Sequence, residues 1–407
     1  MMGVHAPDQH TLRHSGAAAI GALLFFLLQA CAQQQEVRVV PKKAGVPPLK
    51  TEIVITAVGD VMMPSSIQAS ASRYKRGYDV LFEKIAQDLA VADITFANLE
   101  TPVDQTAASS GYPKFNAPPA LLPALKKAGV DIVSVANNHA MDAGPEGLKK
   151  TIDNVEAAGL LFTGAGRTKA EAAKIKYMTA RGVNVAFLSY TYSTNQRLPR
   201  KAAQAPGVNI LRNGSDADLG NAMVCVRQAK ATADLVVVSL HWGDEYAPDP
   251  TPWQRKAASE LVEAGADIIL GHHPHVLQPI ESYAARDGRV ALVVYSLGNF
   301  ISSQSSGVTY EKRTHRKALR GDGILLSIVA VKEMNTTRVD RAEFLPIWTL
   351  RDQIGKGTIS RPVSIMSELA RIEALDRKSK ELENTRKLIS YRMQVILSKF
   401  GAASAPQ

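Results

Sequence analysis

Eight short apolar runs constrain this chain most. They are Ile53–Val58, Ile94–Ala97, Ile132–Ala136, Val183–Tyr190, Leu235–Leu240, Ile268–Leu270, Val290–Ser296 and Ile324–Val331. Rich in Val and Ile, they read as buried strands, since β-branched side chains suit a pleated surface covered on both sides. Amphipathic stretches such as Val80–Leu89 and Pro252–Ala264 lie between several of them and predict helices. Strands alternating with helices give a layered α/β domain. A local unit recurs: Leu125–Val133 and Leu261–Ile269 are each a helix end, an Ala-Gly pair and a strand entry, and Ala157–Leu160 is a weaker copy. Gly129 and Gly265 suit the left-handed position that closes a helix. The repetition fits a duplicated sheet or a common loop solution. The chain has 407 residues, of which 45% are apolar and 21% charged. That length allows about two domains, and the composition excludes disordered, collagen-like and multi-span membrane chains.

The ends read differently. Gly16–Leu28 is apolar but shorter than the roughly 20 residues that span a bilayer, and it ends in Leu28-Gln29-Ala30-Cys31. Residues 1–30 therefore fit a lipoprotein-type signal peptide, with Cys31 as the lipidated residue; plain secretion and an uncleaved anchor are the alternatives. Residues 31–50, with Pro41, Pro47 and Pro48, read as a tether. Residues 51–350 form the α/β domain, and residues 351–407 a helical tail with amphipathic spacing from Ser364 to Phe400.

The polar residues best suited to metal chemistry follow the apolar runs. Asp60 follows the first, Asn98 and Glu100 the second, and Asn137, Asn138 and His139 the third. His241 and Glu245 follow the fifth; His272, His273 and His275 follow the sixth; Asn299 follows the seventh. Ligands of open α/β sheets bind beyond the carboxyl ends of the strands, so these groups can converge on one crevice. There are nine histidines; His5, His10 and His14 lie in the signal segment, and only His315 of the rest is outside these clusters. Imidazole, carboxylate and amide donors suit borderline divalent metals, and a carboxylate can bridge two ions. Taken singly, Asp60 fits a turn, Asn98, Asn137 and Asn299 fit caps, and Glu245 either orients His241 or is a solvated loop charge.

In order along the chain, Val58-Gly59-Asp60-Val61-Met62, Asn98-Leu99-Glu100-Thr101-Pro102, Ala136-Asn137-Asn138-His139-Ala140-Met141-Asp142, His241-Trp242-Gly243, Gly271-His272-His273-Pro274-His275-Val276 and Tyr295-Ser296-Leu297-Gly298-Asn299-Phe300 resemble the signatures of the CapA-type capsule synthesis family. That family is associated with poly-gamma-glutamate and belongs to the calcineurin-like metallophosphatase superfamily. The resemblance covers about Ile53 to Trp348. It implies a four-layer α/β/β/α sandwich with a C-terminal helical extension and a site for two divalent metals, with Mn, Fe and Zn not distinguished. It implies Asp60, Glu100, Asn138, His241, His273 and His275 as ligands, His272 as a substitute, and the histidine next to Asn138, His139, as catalytic together with Asp60. Metallophosphatases usually open with Asp-x-His, and here that position is Met62, a poor ligand for a hard dication.

The resemblance implies an envelope protein. Its expected partners are an acidic polymer or phosphorylated envelope compound, the membrane through Cys31, and a membrane-bound polymer synthase complex. A metal-dependent phosphoesterase and a non-catalytic scaffold that holds the polymer are the two readings. A nucleic-acid partner is excluded by the secretory segment and by the lack of an aromatic-interleaved basic motif. The net charge is +10, and from Arg351 onward eleven bases face six acids. The expectation is therefore that the tail carries much of the basic excess toward an anionic surface.

Overall fold

The computed structural model describes residues 50–197, 205–354, 357–376 and 379–400. The expected signal segment, Cys31 and the expected tether as far as residue 49 lie outside the described residues, and Lys50, placed last in that tether, is already the first residue of a strand. Among the described residues no helix is long and apolar enough to cross a membrane.

All eight apolar runs contain strands, two of which (those of Ile132–Ala136 and Val290–Ser296) stop two residues before the run does, and their alternation builds the layers. In β1 (Lys50–Val61), Ile53, Ile55 and Ala57 point one way, and Val58 and Val61 the other. The first sheet has the order β16 (Gly357–Ser364), β15 (Thr336–Ile354), β14 (Asp322–Glu333), β1, β2 (Ile94–Leu99), β3 (Ile132–Ser134) and β4 (Leu161–Thr163), with β13 (Asn299–Ile301) beside β1. The second has the order β11 (Ile280–Ala284), β12 (Val290–Val294), β10 (Ile268–His272), β9 (Leu235–His241), β7 (Val183–Thr191) and β6 (Lys176–Ala180). β5 (Ala165–Gly166) and β8 (Gly207–Val208) form a small ribbon. The central strands β1 to β4, and likewise β7, β9, β10 and β12, run parallel, so their carboxyl ends share one edge.

Three cores separate four layers. Ile53, Ile55 and Phe96 of one sheet meet Val185, Phe187, Val237 and Ile268 of the other between the sheets. The outer face of the first sheet packs on helices such as Leu121–Ala128 and Gly144–Ala157, and that of the second on Asp216–Lys230 and Pro252–Glu263. The molecule is thus an α/β/β/α sandwich. Each fully buried Val, Leu or Ile side chain contributes about 1.5–3 kcal/mol relative to exposure.

Two expectations change. The stretch Val80–Leu89 is two short helices, Asp79–Phe82 and Ala86–Leu89. The Arg361 guanidinium takes the Val80 carbonyl (3.1 Å), removing it from a continuous ladder, and Ile85 N–H turns back to the Phe82 carbonyl (3.0 Å). The boundary at 350 falls inside β15, and β16 continues the sheet, so the stretch after it is not wholly helical. Helices Ile365–Glu373 and Lys380–Phe400 then cover the inner face of β14 to β16 through Ile365, Ile372, Ile389, Ile396 and Phe400.

Candidate metal centre

The site starts where two backbones touch. Asp60 pairs with Asn299 of β13 on one side and with Asn98 of β2 on the other. A Cβ on Gly59 would lie 1.9 Å from the Gly298 carbonyl oxygen, and Gly298 has φ +69°, a conformation that glycine adopts without strain. Two glycines therefore let β13 close against β1 and set Asp60 and Asn299 side by side. In the second sheet His241 pairs with His272. His273 and His275 follow with φ of +94° and +55°, a strained turn that presents both rings inward.

The side chains converge in a buried cluster. Asn98 Nδ2 donates to Asp60 Oδ1 (2.8 Å) and lies 3.3 Å from His241 Nδ1. His275 Nδ1 lies 3.0 Å from Asp60 Oδ2 and 3.1 Å from Asn299 Oδ1. His241 Nε2 is 3.0 Å from Asn138 Oδ1 and 3.7 Å from Glu100 Oε1. His275 Nε2 is 3.6 Å from the same Glu100 oxygen. At the rim, His139 Nδ1 is 2.6 Å from Asp142 Oδ2, and its ring meets Phe115 edge-on at 4.7 Å.

Burial governs the electrostatics. It lowers His241 well below the ordinary imidazole range, helped by His273, and brings His273 down to about 3, helped by His275. Both rings are therefore neutral at physiological pH, the form that ligates metals. Burial also raises Asp60, but its contacts with His272 and His275 outweigh this and hold it well below the usual carboxylate range. Glu100 is pushed well above that range by burial and then by the Asp60 charge. Both Glu100 oxygens and His273 Nδ1 are buried without a hydrogen-bond partner. Buried polar atoms are rarely left so. Two triads, Asp60–Glu100–His241 and Glu100–His273–His275, each bring one donor atom per residue within 4.8 Å. Nitrogen and oxygen donors with one shared carboxylate fit a pair of divalent ions.

The candidates take distinct places. Asn137 is a brace: its amide donates to the Leu99 carbonyl (2.8 Å), and its oxygen accepts from His139 N–H (3.2 Å). His272 is buried against Phe96 (6.0 Å) with Nδ1 3.3 Å from Asp60 Oδ1, and falls in neither triad. Glu245 is exposed, and His241 faces Asn98 and Asn138, so the expected orienting carboxylate is replaced by an amide. Met62 is buried with its sulfur 3.8 Å from Gln304 Nε2. Sequence reasoning passed over Asp142, Asn195 and Tyr192. Asp142 stands three residues after His139 in the same motif, which was a usable cue. Asn195 Nδ2 lies 3.3 Å from His139 Nδ1, and the Tyr192 ring lies tilted 4.7 Å from that of His273, but neither has a local pattern to mark it.

Residues 54–304 match the family described as bacterial capsule synthesis protein PGA_cap. The chain is 32% identical over 336 residues to the PGA biosynthesis protein CapA of Bacillus subtilis, covering 81% of this chain and 83% of that one. It is 33% identical over 284 residues to the capsule biosynthesis protein CapA of Bacillus anthracis, covering 67% of this chain and 65% of that one. The calcineurin-like phosphoesterase YfkN from Bacillus subtilis superposes with a TM-score of 0.41 at 12% identity, over 86% of this chain and all of that one, 100%. On its family match and its Bacillus relatives, the chain belongs to the bacterial capsule synthesis PGA_cap family.

Proposed function

We propose that the protein is a metal-dependent, metallophosphatase-like phosphoesterase of the cell envelope, acting in the synthesis or export of a capsule polymer of the poly-gamma-glutamate type. In this reading it is anchored through Cys31 beside a membrane-bound polymer synthase. The observation that carries the reading is the pair of buried donor triads sharing Glu100, with the His139–Asp142 pair at their rim. Asp60, Glu100, Asn138, His241, His273 and His275 would hold the metals. Bound divalent metals supply charge stabilisation on phosphoryl oxygens and a water of lowered pKa. Asp142 accepts the Nδ1 proton of His139, which leaves Nε2 as the atom that exchanges a proton with the leaving oxygen. Asn98 braces the His241 ring at Nδ1, and Nε2 on the other side faces Glu100 and Asn138, the oxygens that would share a metal with it.

Metal analysis of the soluble form starting after Cys31 tests this, together with a phosphomonoester and phosphodiester screen. Two metals per chain and turnover abolished by chelation are expected. Turnover that survives metal removal overturns it. A second reading, a non-catalytic scaffold that holds an acidic polymer, is favoured by Met62 at the position where the Asp-x-His histidine is expected. One metal or none, with polymer binding and no turnover, is its outcome.

A further inference from the structure

Between β13 and β14 the chain passes beside the site, where Gln304 and Arg320 both meet Asn299. Residues 310–320 carry Lys312, Arg313, Arg316, Lys317 and Arg320 against a single acid, Glu311. Among the described residues, no carboxylate lies at ion-pair distance from any of these five bases, which sets them apart from paired tail bases such as Arg361 and Arg392. Lys312, Arg316 and Lys317 are exposed. Arg320 is the one built into the centre. Its guanidinium carbon sits 3.6 Å over the Tyr246 ring, which lies 6.1 Å from the His275 ring. Tyr246 holds φ +65° and donates its N–H to the Pro274 carbonyl (2.8 Å), inside the histidine turn. The Arg320 carbonyl accepts from Asn299 Nδ2 (2.9 Å), and Asn299 Oδ1 faces His275 (3.1 Å). Both the backbone and the side chain of Arg320 are thus tied to the wall of the metal centre.

Arg320 Nε is buried and has no acceptor. A buried N–H left unpaired is costly, more so when it carries charge. A guanidinium held over an aromatic ring by its π face still has N–H donors for a planar or tetrahedral oxyanion. We propose that Arg320 is the substrate-anion residue of this site. It takes a carboxylate or phosphate group of the ligand beside the metals, while Lys312, Arg316 and Lys317 hold further anionic groups along the same chain. The inference rests on the reading above that the centre serves an acidic polymer or a phosphorylated compound. It adds which residues grip the anion, and it places the anionic contact on this connection and not on the tail.

The test uses the metal-loaded protein starting after Cys31. A labelled glutamate decamer is titrated by fluorescence anisotropy and inorganic phosphate by calorimetry. Arg320→Ala should weaken binding of at least one probe about tenfold, which corresponds to one 1.4 kcal/mol step. Arg320→Lys keeps the charge without the fork and should restore only part of it. Loss for the decamer alone assigns a carboxylate, loss for phosphate alone a phosphoryl group, and both outcomes support the proposal. The triple variant Lys312→Gln/Arg316→Gln/Lys317→Gln should weaken only the decamer and flatten its salt dependence. No binding of either probe by the native protein, or unchanged affinity for both in Arg320→Ala, overturns the proposal. Metal content and melting temperature on every sample keep the two questions apart. Metal-free protein that still grips the decamer through Arg320 counts against the hydrolase and not against the anion site.

Discussion

Glu100 is the side chain on which the centre turns. It is fully buried, both its oxygens are unpartnered, and it belongs to both donor triads. Glu100→Gln keeps the volume and removes the charge, so on the proposed two-metal reading both positions should empty. Elemental analysis should show less than one metal per chain, while the melting temperature in chelator stays equal to or above that of the native protein. A Gln variant that retains two metals would refute the shared-carboxylate assignment. Asp142 makes the complementary case. It touches no donor of either triad but fixes His139 at 2.6 Å. Asp142→Asn should leave the metal content intact, lower turnover about a hundredfold or more and shift the pH profile, because the imidazole loses the acceptor that sets its tautomer. At this scale the sequence was informative about which residues are donors and poor about which way they point. Adjacent Asn137 and Asn138 look interchangeable on paper. The turn after β3 sends one amide to the Leu99 carbonyl and the other to His241. Glu245 sits next to a ligand-bearing strand end, yet the chain has already turned outward there.

Elements were legible where a buried strand is also a continuous run of apolar residues. The eight predicted strands are the ones covered on both faces, where uninterrupted Val and Ile are required. The ones passed over are partly exposed strands such as β6, β11 and β15, whose burial alternates, short ones such as β4, β5, β8 and β13, and β16, whose buried stretch is broken as an apolar run by Arg361 and Pro362. Yet β13 is the element that closes the site, and it depends on a glycine contact that periodicity does not report. Gly59→Ala forces a Cβ into the Gly298 carbonyl. It should cost about 1–3 kcal/mol, as overpacking does, and release metal by moving Asp60. Gly220→Ala, mid-helix with nothing within 4 Å, is the matched control. It should add about 1 kcal/mol in the same urea melts, and equal effects at the two positions would dismiss the close-approach argument. The β15–β16 edge carries its own pH dependence. Burial raises the Asp352 carboxyl, but hydrogen bonds from Lys84 and Arg361 outweigh this and lower it. A carboxylate depressed in the fold contributes stability above its unfolded value of 3.8, and that contribution is lost as pH falls below it. Asp352→Asn should therefore be less stable than the native protein at pH 6 by about 1–3 kcal/mol. The gap should close toward pH 2–3, and a gap that does not change with pH would contradict the ion-pair account.

On the scale of the whole molecule, the structure redistributes the charge that the sequence assigned to the tail. From Arg351 onward eleven bases face six acids, but several of those bases are structural. Arg361 pairs with Glu83 and Asp352, and Arg371 with Glu368. Arg392 reaches Asp322 at the start of β14 through Nε at 2.9 Å and through Nη2, with both side chains nearly buried. Counting charges along a chain cannot separate a free cation from one that clamps a helix to a sheet, because the partners lie far apart in sequence. The tail helices also close the core, since Ile372, Ile389, Ile396 and Phe400 cover the stretch of sheet that holds Trp348, Leu350 and Val363. A chain ending after Ser364 should therefore bind hydrophobic dyes and melt without a cooperative transition, and its metal site should fail although no ligand has been removed. Arg392→Glu should do much the same by burying two carboxylates together; breaking a buried pair alone costs about 3–5 kcal/mol. Lys387→Glu, on an exposed part of the same helix, should change stability by no more than about 0.5 kcal/mol. Equal tolerance of both reversals in thermal melts would show that the tail is an independent basic appendage; failure of Arg392→Glu alone makes it the closing wall of the sandwich.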